Sequence, residues 1–364
     1  MEHSTYLLSP CPRVNIRSRD YSSRWPAALI TLILPAIVVF VAALAQAAQS
    51  TSKNLTPTKV RISQSAVAAR STVLWIAQER GLFAKHGVDM EVVYLRSSPL
   101  QMTALSTGEV HFASSGGSPF LFAVAGGQDL KVIASQSNRL SYHLVVRPEI
   151  KAAKDLGGKR FGVTTIGGTT WMATYLALEY LGLDANRDQI SINGLGNQTI
   201  LAQAVEAGNI DATLLDPFLS RGPKSKGLPV LIDLNHAQIP FMNSAIAVSG
   251  NFLREHPDIV DAVLKALLEA QAFVAAPANR SLVLQTMSRH MKLSNPALLD
   301  EGYQDLQVGV EKRPYAQLDG LRNIQRMMAT LNPKVSRVRI EDFIDNRFVP
   351  KLDESGYIDA LYKG

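Results

Sequence analysis

The sequence predicts an α/β fold built as two similar lobes with a cleft between them. Two observations predict it: a phrase that recurs about a hundred residues further on, and short apolar strands alternating with helices of about ten residues. Ala104-Leu105-Ser106-Thr107-Gly108-Glu109-Val110-His111 returns in outline as Ala204-Val205-Glu206-Ala207-Gly208-Asn209-Ile210-Asp211. Gly81-Leu82 before Val88 to Leu95 is echoed by Gly182-Leu183 before Gln189 to Asn193, and Val60 to Thr72 by Arg160 to Trp171. Echoes at one offset imply two related lobes, an arrangement that encloses a small ligand. The period is far too long for a solenoid.

The chain opens on a polar stretch carrying Arg13, Arg17, Arg19 and Arg24. Ala27 to Ala45 holds no charge, and Ala45-Gln46-Ala47 fits the small-residue exit of an export signal. The expectation is a signal peptide over 1–47 and a polar linker over 48–58. An uncleaved membrane anchor competes with it, since the apolar run just spans a bilayer, but Pro35 and the small-residue exit favour cleavage. Both readings put the folded part outside the cytoplasm. Removing 1–47 lowers the formal charge from +6 to +4. That charge is spread out, with no basic run and interleaved aromatics, so nucleic acid is not an expected partner. The single cysteine, Cys11, lies in the leader. The mature chain is therefore expected to hold no disulfide, cysteine nucleophile or thiolate metal site.

Val60 to Ser65 reads as the first strand, followed by a helix from Ser71-Thr72 to Gly81, whose glycine suits a left-handed stop. Val88 to Leu95 is a strand, Pro99 to Thr107 a helix, and Val110 to Ser114 a strand. Ser118-Pro119 starts a helix with proline at its favoured first position. Leu130 to Ser137 and Leu140 to Arg147 are strands. This alternation implies βαβ units and mostly parallel sheets. Lys151 to Lys159 reads as a crossing between lobes.

The second lobe repeats the alternation: strand Arg160 to Thr164, helix Gly168 to Leu181, strand Gln189 to Asn193, helix Gln198 to Ala207, and strands Ala212 to Leu215 and Val230 to Leu234. Asn243 to Ser249 reads as a strand returning to the first lobe. Helices then follow at Asp258 to Ala275, Arg280 to His290, Pro296 to Gly309 and Leu318 to Leu331. The expected division is 59–150 for lobe 1, 151–242 for lobe 2, and 243–364 for the completion of lobe 1 with a helical tail. A double crossing near 148–155 and 238–248 makes a hinge.

In parallel sheets, ligands lie beyond the carboxyl ends of strands, where loops lead into helix starts. Four such places carry small polar residues: Gln64-Ser65 with Ser71-Thr72; Ser114-Ser115-Gly116-Gly117-Ser118; Thr165 and Gly167-Gly168-Thr169-Thr170; and Asp216. Free N–H groups and the positive end of the helix dipole at such starts suit an anion. Each hydroxyl alone also suits a helix cap. Asn197 and Asp216 are ligand candidates that equally fit as caps. Trp171, Phe120, Phe218, Tyr142 and His143 are candidates for an aromatic wall, and each also suits a core position. Arg70 and Arg139 are candidate anion partners. No nucleophile elbow, HExxH or P-loop occurs, and the histidines lack metal-ligand spacing. No catalytic residue, metal or cofactor is expected.

One further set of residues carries a family likeness. Ala77-Gln78-Glu79-Arg80-Gly81-Leu82-Phe83-Ala84-Lys85-His86-Gly87-Val88, Gly108-Glu109-Val110, Asp155-Leu156-Gly157-Gly158-Lys159-Arg160-Phe161-Gly162-Val163, Leu181-Gly182-Leu183 and Gly208-Asn209-Ile210-Asp211-Ala212 stand in one order and spacing. With them the chain resembles the substrate-binding proteins of bacterial ABC importers that take sulfonates, taurine, nitrate and thiamine-precursor pyrimidines. The likeness covers about 58–280. It implies a type II periplasmic binding fold that closes on a small, anionic ligand and delivers it to a membrane permease. A periplasmic monomer without enzymatic activity is the corresponding expectation. The alternatives are a membrane-tethered sensory module and an enzyme on the same fold. Thiamine-pyrimidine synthases resemble the family, but the cysteine-rich motif associated with their activity is missing here.

Overall fold

Val60 and Ile62 are buried while Lys59 and Arg61 face solvent, the alternation that makes Thr58–Gln64 strand β1. The structure, a computed structural model, describes residues 58–363 apart from positions 66, 310 and 330. The expected signal peptide lies outside the described residues. β2 (Val88–Tyr94) and β3 (Phe112–Ser115) flank β1 in parallel, Lys59 opposite Asp89 and Ile62 opposite Phe112. β4 (Leu130–Arg139) and β10 (Pro240–Ser249) complete a first sheet in the order β2-β1-β3-β10-β4, with β10 antiparallel to both neighbours.

The second sheet has the same plan. β6 (Arg160–Val163) lies between β7 (Ser191–Gly194) and β8 (Ala212–Leu215), all parallel. β5 (His143–Val146) then runs antiparallel between β8 and β9 (Val230–Asp233), giving β7-β6-β8-β5-β9. The chain passes between the sheets from β4 to β5 over 140–142 and from β9 to β10 over 234–239. The two passages are tied, the Leu140 N–H donating to the Ile239 carbonyl at 3.0 Å. The first passage precedes the 148–155 stretch expected of it, and Leu140 to Arg147 is not one strand. Polar ties break it: the Tyr142 carbonyl accepts from the Leu234 N–H at 2.9 Å, and the Ser141 hydroxyl bonds Asn235.

In the first lobe the helices are α1 (Thr72–Glu79), α2 (Ser98–Thr107) and α3 (Gly117–Ala125). In the second they are α4 (Thr169–Tyr180), α5 (Gln198–Glu206) and α6 (Pro217–Ser225). Gly81 and Gly108, at φ +65° and +78°, make the left-handed stops the sequence asked of them. α3 starts earlier than expected, because Gly116 is the extended cap and Ser118-Pro119 already lies inside the first turn.

Four helices of twelve or more residues follow: α7 (Pro257–Ala275), α8 (Arg280–Met291), α9 (Pro296–Gly309) and α10 (Leu318–Ala329). Val260, Val263, Leu264 and Leu267 of α7 share one core with Val60, Ile62 and Val248 of the first sheet. Burying each such side chain contributes about 1.5–3 kcal/mol. α9 and α10 also reach the second lobe. Arg221 of α6 donates to Asp305 of α9 at 2.9 Å, and Arg326 of α10 forks onto the Glu179 carboxylate at 2.7 and 2.8 Å.

Candidate functional site

The carboxyl ends of β1, β2, β3 and β6 converge on a cavity of about 300 Å³ between the lobes, here called the front cavity. Four helix starts contribute to its wall: Ser98 of α2, Gly116 before α3, Thr169 and Thr170 of α4, and Asn197, Gln198 and Thr199 around the start of α5. Each start exposes N–H groups without intrahelical acceptors, at the positive end of the helix dipole. Hydroxyls fill much of the remaining wall. Ser65 and Ser98 oxygens lie 3.5 Å apart, and Ser115 donates to Ser98 at 3.3 Å. Thr164 and Thr170 hydroxyls are 2.8 Å apart, the Thr170 oxygen also accepting the Thr164 N–H at 3.0 Å. At the back, the Tyr142 hydroxyl donates to Asn243 at 2.8 Å, and burial pushes its pKa above the ordinary phenol value, so it keeps its proton.

Among the described residues, one charged side chain lines this cavity, Arg70, and no carboxylate does. Its guanidinium pairs with Asp216, whose side chain is 9% exposed. Asp216 faces a second cavity of about 360 Å³, the rear cavity, which Arg70, Asn243 and Ser244 also line.

Gln64, Ser65, Ser71, Ser114, Ser115, Gly116, Thr169, Thr170 and Asn197, all singled out from sequence, line the front cavity. Eight others do not. Thr72 is fully buried in α1. A Cβ at Gly117 would meet Leu321 at 2.8 Å and Met242 at 2.9 Å, so this glycine serves packing. Ser118 is buried and donates to the Gly168 carbonyl at 3.4 Å, joining the lobes. Thr165, Gly167 and Gly168 form the turn into α4: the Gly168 N–H bonds the Thr165 carbonyl at 3.0 Å, and Gly167 stands at φ +77° beside Phe122. Trp171 is no cleft wall. It is 8% exposed and packs on Phe122 and Tyr175, with ring centroids at 5.9 and 5.1 Å. Asp216 caps α6, accepting from the Phe218 N–H at 3.3 Å, and lies on the rear side of Arg70.

Among the aromatic candidates, Phe120 and Phe218 are buried, and His143 bonds the Ser220 hydroxyl at 2.7 Å, burial pulling its pKa down. Tyr142 alone of that group lines the front cavity. Arg139 lines the rear cavity and donates to the Val308 carbonyl at 3.4 Å.

Sequence reasoning missed Tyr94, Ser98, Gln198, Thr199, Asn243 and Ser244. The hundred-residue offset held a signal for two of them. Ser97 and Asn197 are equivalent caps, accepting from Leu100 N–H at 3.4 Å and Ile200 N–H at 3.0 Å, and the next residues, Ser98 and Gln198, both line the cavity. Among the described residues, no group of histidine, cysteine and acidic side chains could hold a metal ion. Nor is any described helix long and apolar enough to cross a membrane.

Comparisons with known proteins agree on the kind of fold. A family model described as NMT1/THI5 like matches residues 68–279. The taurine-binding periplasmic protein of Escherichia coli is 30% identical over 210 residues, 56% of this chain and 63% of that protein. Two Brucella abortus proteins that carry the name "Putative binding protein" are 26% identical, and the matched stretch spans 66% of their length. Among solved structures, the alkanesulfonate-binding protein SsuA of Xanthomonas axonopodis pv. citri, bound to MOPS, has a TM-score of 0.67 at 18% identity, covering 80% of this chain and 99% of that one. The periplasmic aliphatic sulphonate-binding protein SsuA of Escherichia coli has a TM-score of 0.64 at 20% identity, covering 80% and 92%.

Proposed function

The chain belongs to the NMT1/THI5-like family, and from that premise we propose that it is an extracytoplasmic solute-binding protein that captures a small organic anion, of the sulfonate class, in the front cavity and delivers it to an ABC-importer permease. The observation that carries the anion is the charge pattern of that cavity: four helix starts, a hydroxyl-rich wall and one guanidinium, with no carboxylate among the described residues. Such a wall offers donors from both lobes to oxygens that only accept. Its mechanism is binding without covalent chemistry. Contacts from both lobes form together only when the cleft is closed, so ligand draws the population toward the closed form. The family likeness and the periplasmic name of the Escherichia coli relative support export to the periplasm, and action as a monomer with a permease as partner is part of the same proposal.

The test is thermal unfolding of the chain from Gln49 onward with ethanesulfonate, taurine, nitrate, carboxylates and pyrimidines. A ligand present at a hundred times its Kd stabilises the native state by about 2.7 kcal/mol. The expected result is a raised Tm with sulfonates and no turnover of them. Shifts confined to pyrimidines would overturn the anion reading, and turnover of the bound compound would overturn the binding-protein reading.

A further inference from the structure

The rear cavity is not needed to hold a small anion, yet it lies in the same cleft and is walled differently. Asp216, Asp233 and Asp305 line it, against Arg70 and Arg139. The guanidinium of Arg221, which binds Asp305 at 2.9 Å, is shared with Glu301, so two carboxylates depend on one cation. Asp305 correspondingly holds its proton up to about pH 6, chiefly through burial. Gln271, 2% exposed, also lines the cavity and its carbonyl oxygen has no partner. The rear wall thus presents carboxylates, which the described lining of the front wall does not.

The two spaces are continuous in their lining. Asn243 and Ser244 of β10 border both, and Arg70 stands between them with Asp216 behind it. A guanidinium has five N–H donors, enough to hold an acid group in front while keeping Asp216. Asp305, Leu306, Val308 and Gly309 of the rear wall come from α9, beyond the 68–279 stretch matched by the family model. This part of the cleft therefore belongs to the chain's own helical tail.

We propose that the rear cavity is a second compartment of the binding cleft, and that it receives the ammonium end of an elongated amino-terminated organic acid whose acid group lies in the front cavity. The inference rests on the anion reading of the front cavity and adds the far end of the ligand. The ammonium supplies donors to the Asp305 carboxylate and the Gln271 carbonyl. Asn243 and Ser244 mark the route of the connecting chain.

The experiment is calorimetric titration of the mature chain with two series of equal length, plain alkanesulfonates and ω-aminoalkanesulfonates, from two to six carbons. The amino group is expected to raise affinity about tenfold or more in the longer members, the effect of one charge-assisted hydrogen bond, and to do less in the two-carbon pair. Asp305→Asn is expected to shrink the amino-to-plain affinity ratio of the longer pairs toward one. Equal affinities for amino and plain members at every length would overturn the rear-compartment inference and leave the anion reading standing. So would an unchanged ratio in Asp305→Asn. Failure of every sulfonate to bind would overturn the anion reading and this inference with it. The length comparison needs no variant, so a misfolded Asp305→Asn protein does not remove the test.

Discussion

Gly116 is a point of close approach between the lobes. A Cβ there would stand 2.4 Å from the Thr169 hydroxyl oxygen and 2.5 Å from its methyl carbon. Its backbone is extended, so alanine costs nothing in backbone conformation. Gly116→Ala is expected to leave unfolding by urea nearly unchanged while weakening ligand affinity by tenfold or so, because only the closed form meets the clash. Equal loss of stability and affinity would place the effect in the fold instead. Asp305 gives a pH signature. Its folded pKa, about 6, lies above its ordinary 3.8 because burial and nearby Asp216 and Glu301 outweigh Arg221. Between those values the folded chain binds the additional proton, so stability falls as pH rises from 3.8 to about 6 and levels off above. Asp305→Asn is expected to flatten that slope in a plot of Tm against pH. At this scale the sequence was half legible. Small polar residues at strand ends mark Ser114, Ser115 and Thr169, but which way a helix faces decides Trp171. That tryptophan turns onto Phe122 and Tyr175, and no local pattern reveals it.

Elements were read more surely than residues. The glycine stops and apolar runs located the expected strands and helices to within a few residues, because φ > 0 and alternating burial are local requirements. What failed was pairing. Leu140 to Arg147 is apolar enough for a strand, but its halves divide between a passage and β5, and only the partner strands settle that. Asn243 and Ser244 were hidden for a related reason: they sit in a return strand whose other residues read as core. The link between the start of α1 and the start of α6 is also invisible in sequence, since Arg70 and Asp216 are 146 positions apart. Arg70→Ala would leave the Asp216 carboxylate, 9% exposed, without its cation. A loss near the lower end of the about 3–5 kcal/mol typical of a broken buried pair is expected in urea unfolding, because Arg70 itself keeps some solvent. Sulfonate affinity is expected to fall as well, while Asp216→Asn, which keeps the cation, lowers it less.

At the scale of the whole described chain, the repeat seen in sequence becomes two sheets of one plan, each a parallel trio followed by an antiparallel strand. The tail was expected on the first lobe alone, and α7 lies there. α9 and α10 go further and clamp the second lobe through Arg221 with Asp305 and Arg326 with Glu179. The latter pair is largely exposed, so Arg326→Ala is expected to change stability by no more than about 1 kcal/mol. Its clearer effect is expected in solution scattering without ligand, as a small shift toward an expanded form. An unchanged scattering profile would show that the pair does not bias closure.

The bond between Leu140 and Ile239 has a consequence of another kind. The second sheet leaves the first and rejoins it at what is nearly a single point, so 141–238 forms a cassette with adjoining ends. Cassettes of this sort are exchangeable without rethreading the host. Each half of the front cavity is then heritable by itself: Ser98, Ser114 and Gly116 travel with the host, and Thr169, Asn197 and Thr199 with the cassette. A grafted second lobe from a relative would bring half a new recognition surface onto an old one, and chemoselectivity could diversify by recombination as well as by point substitution.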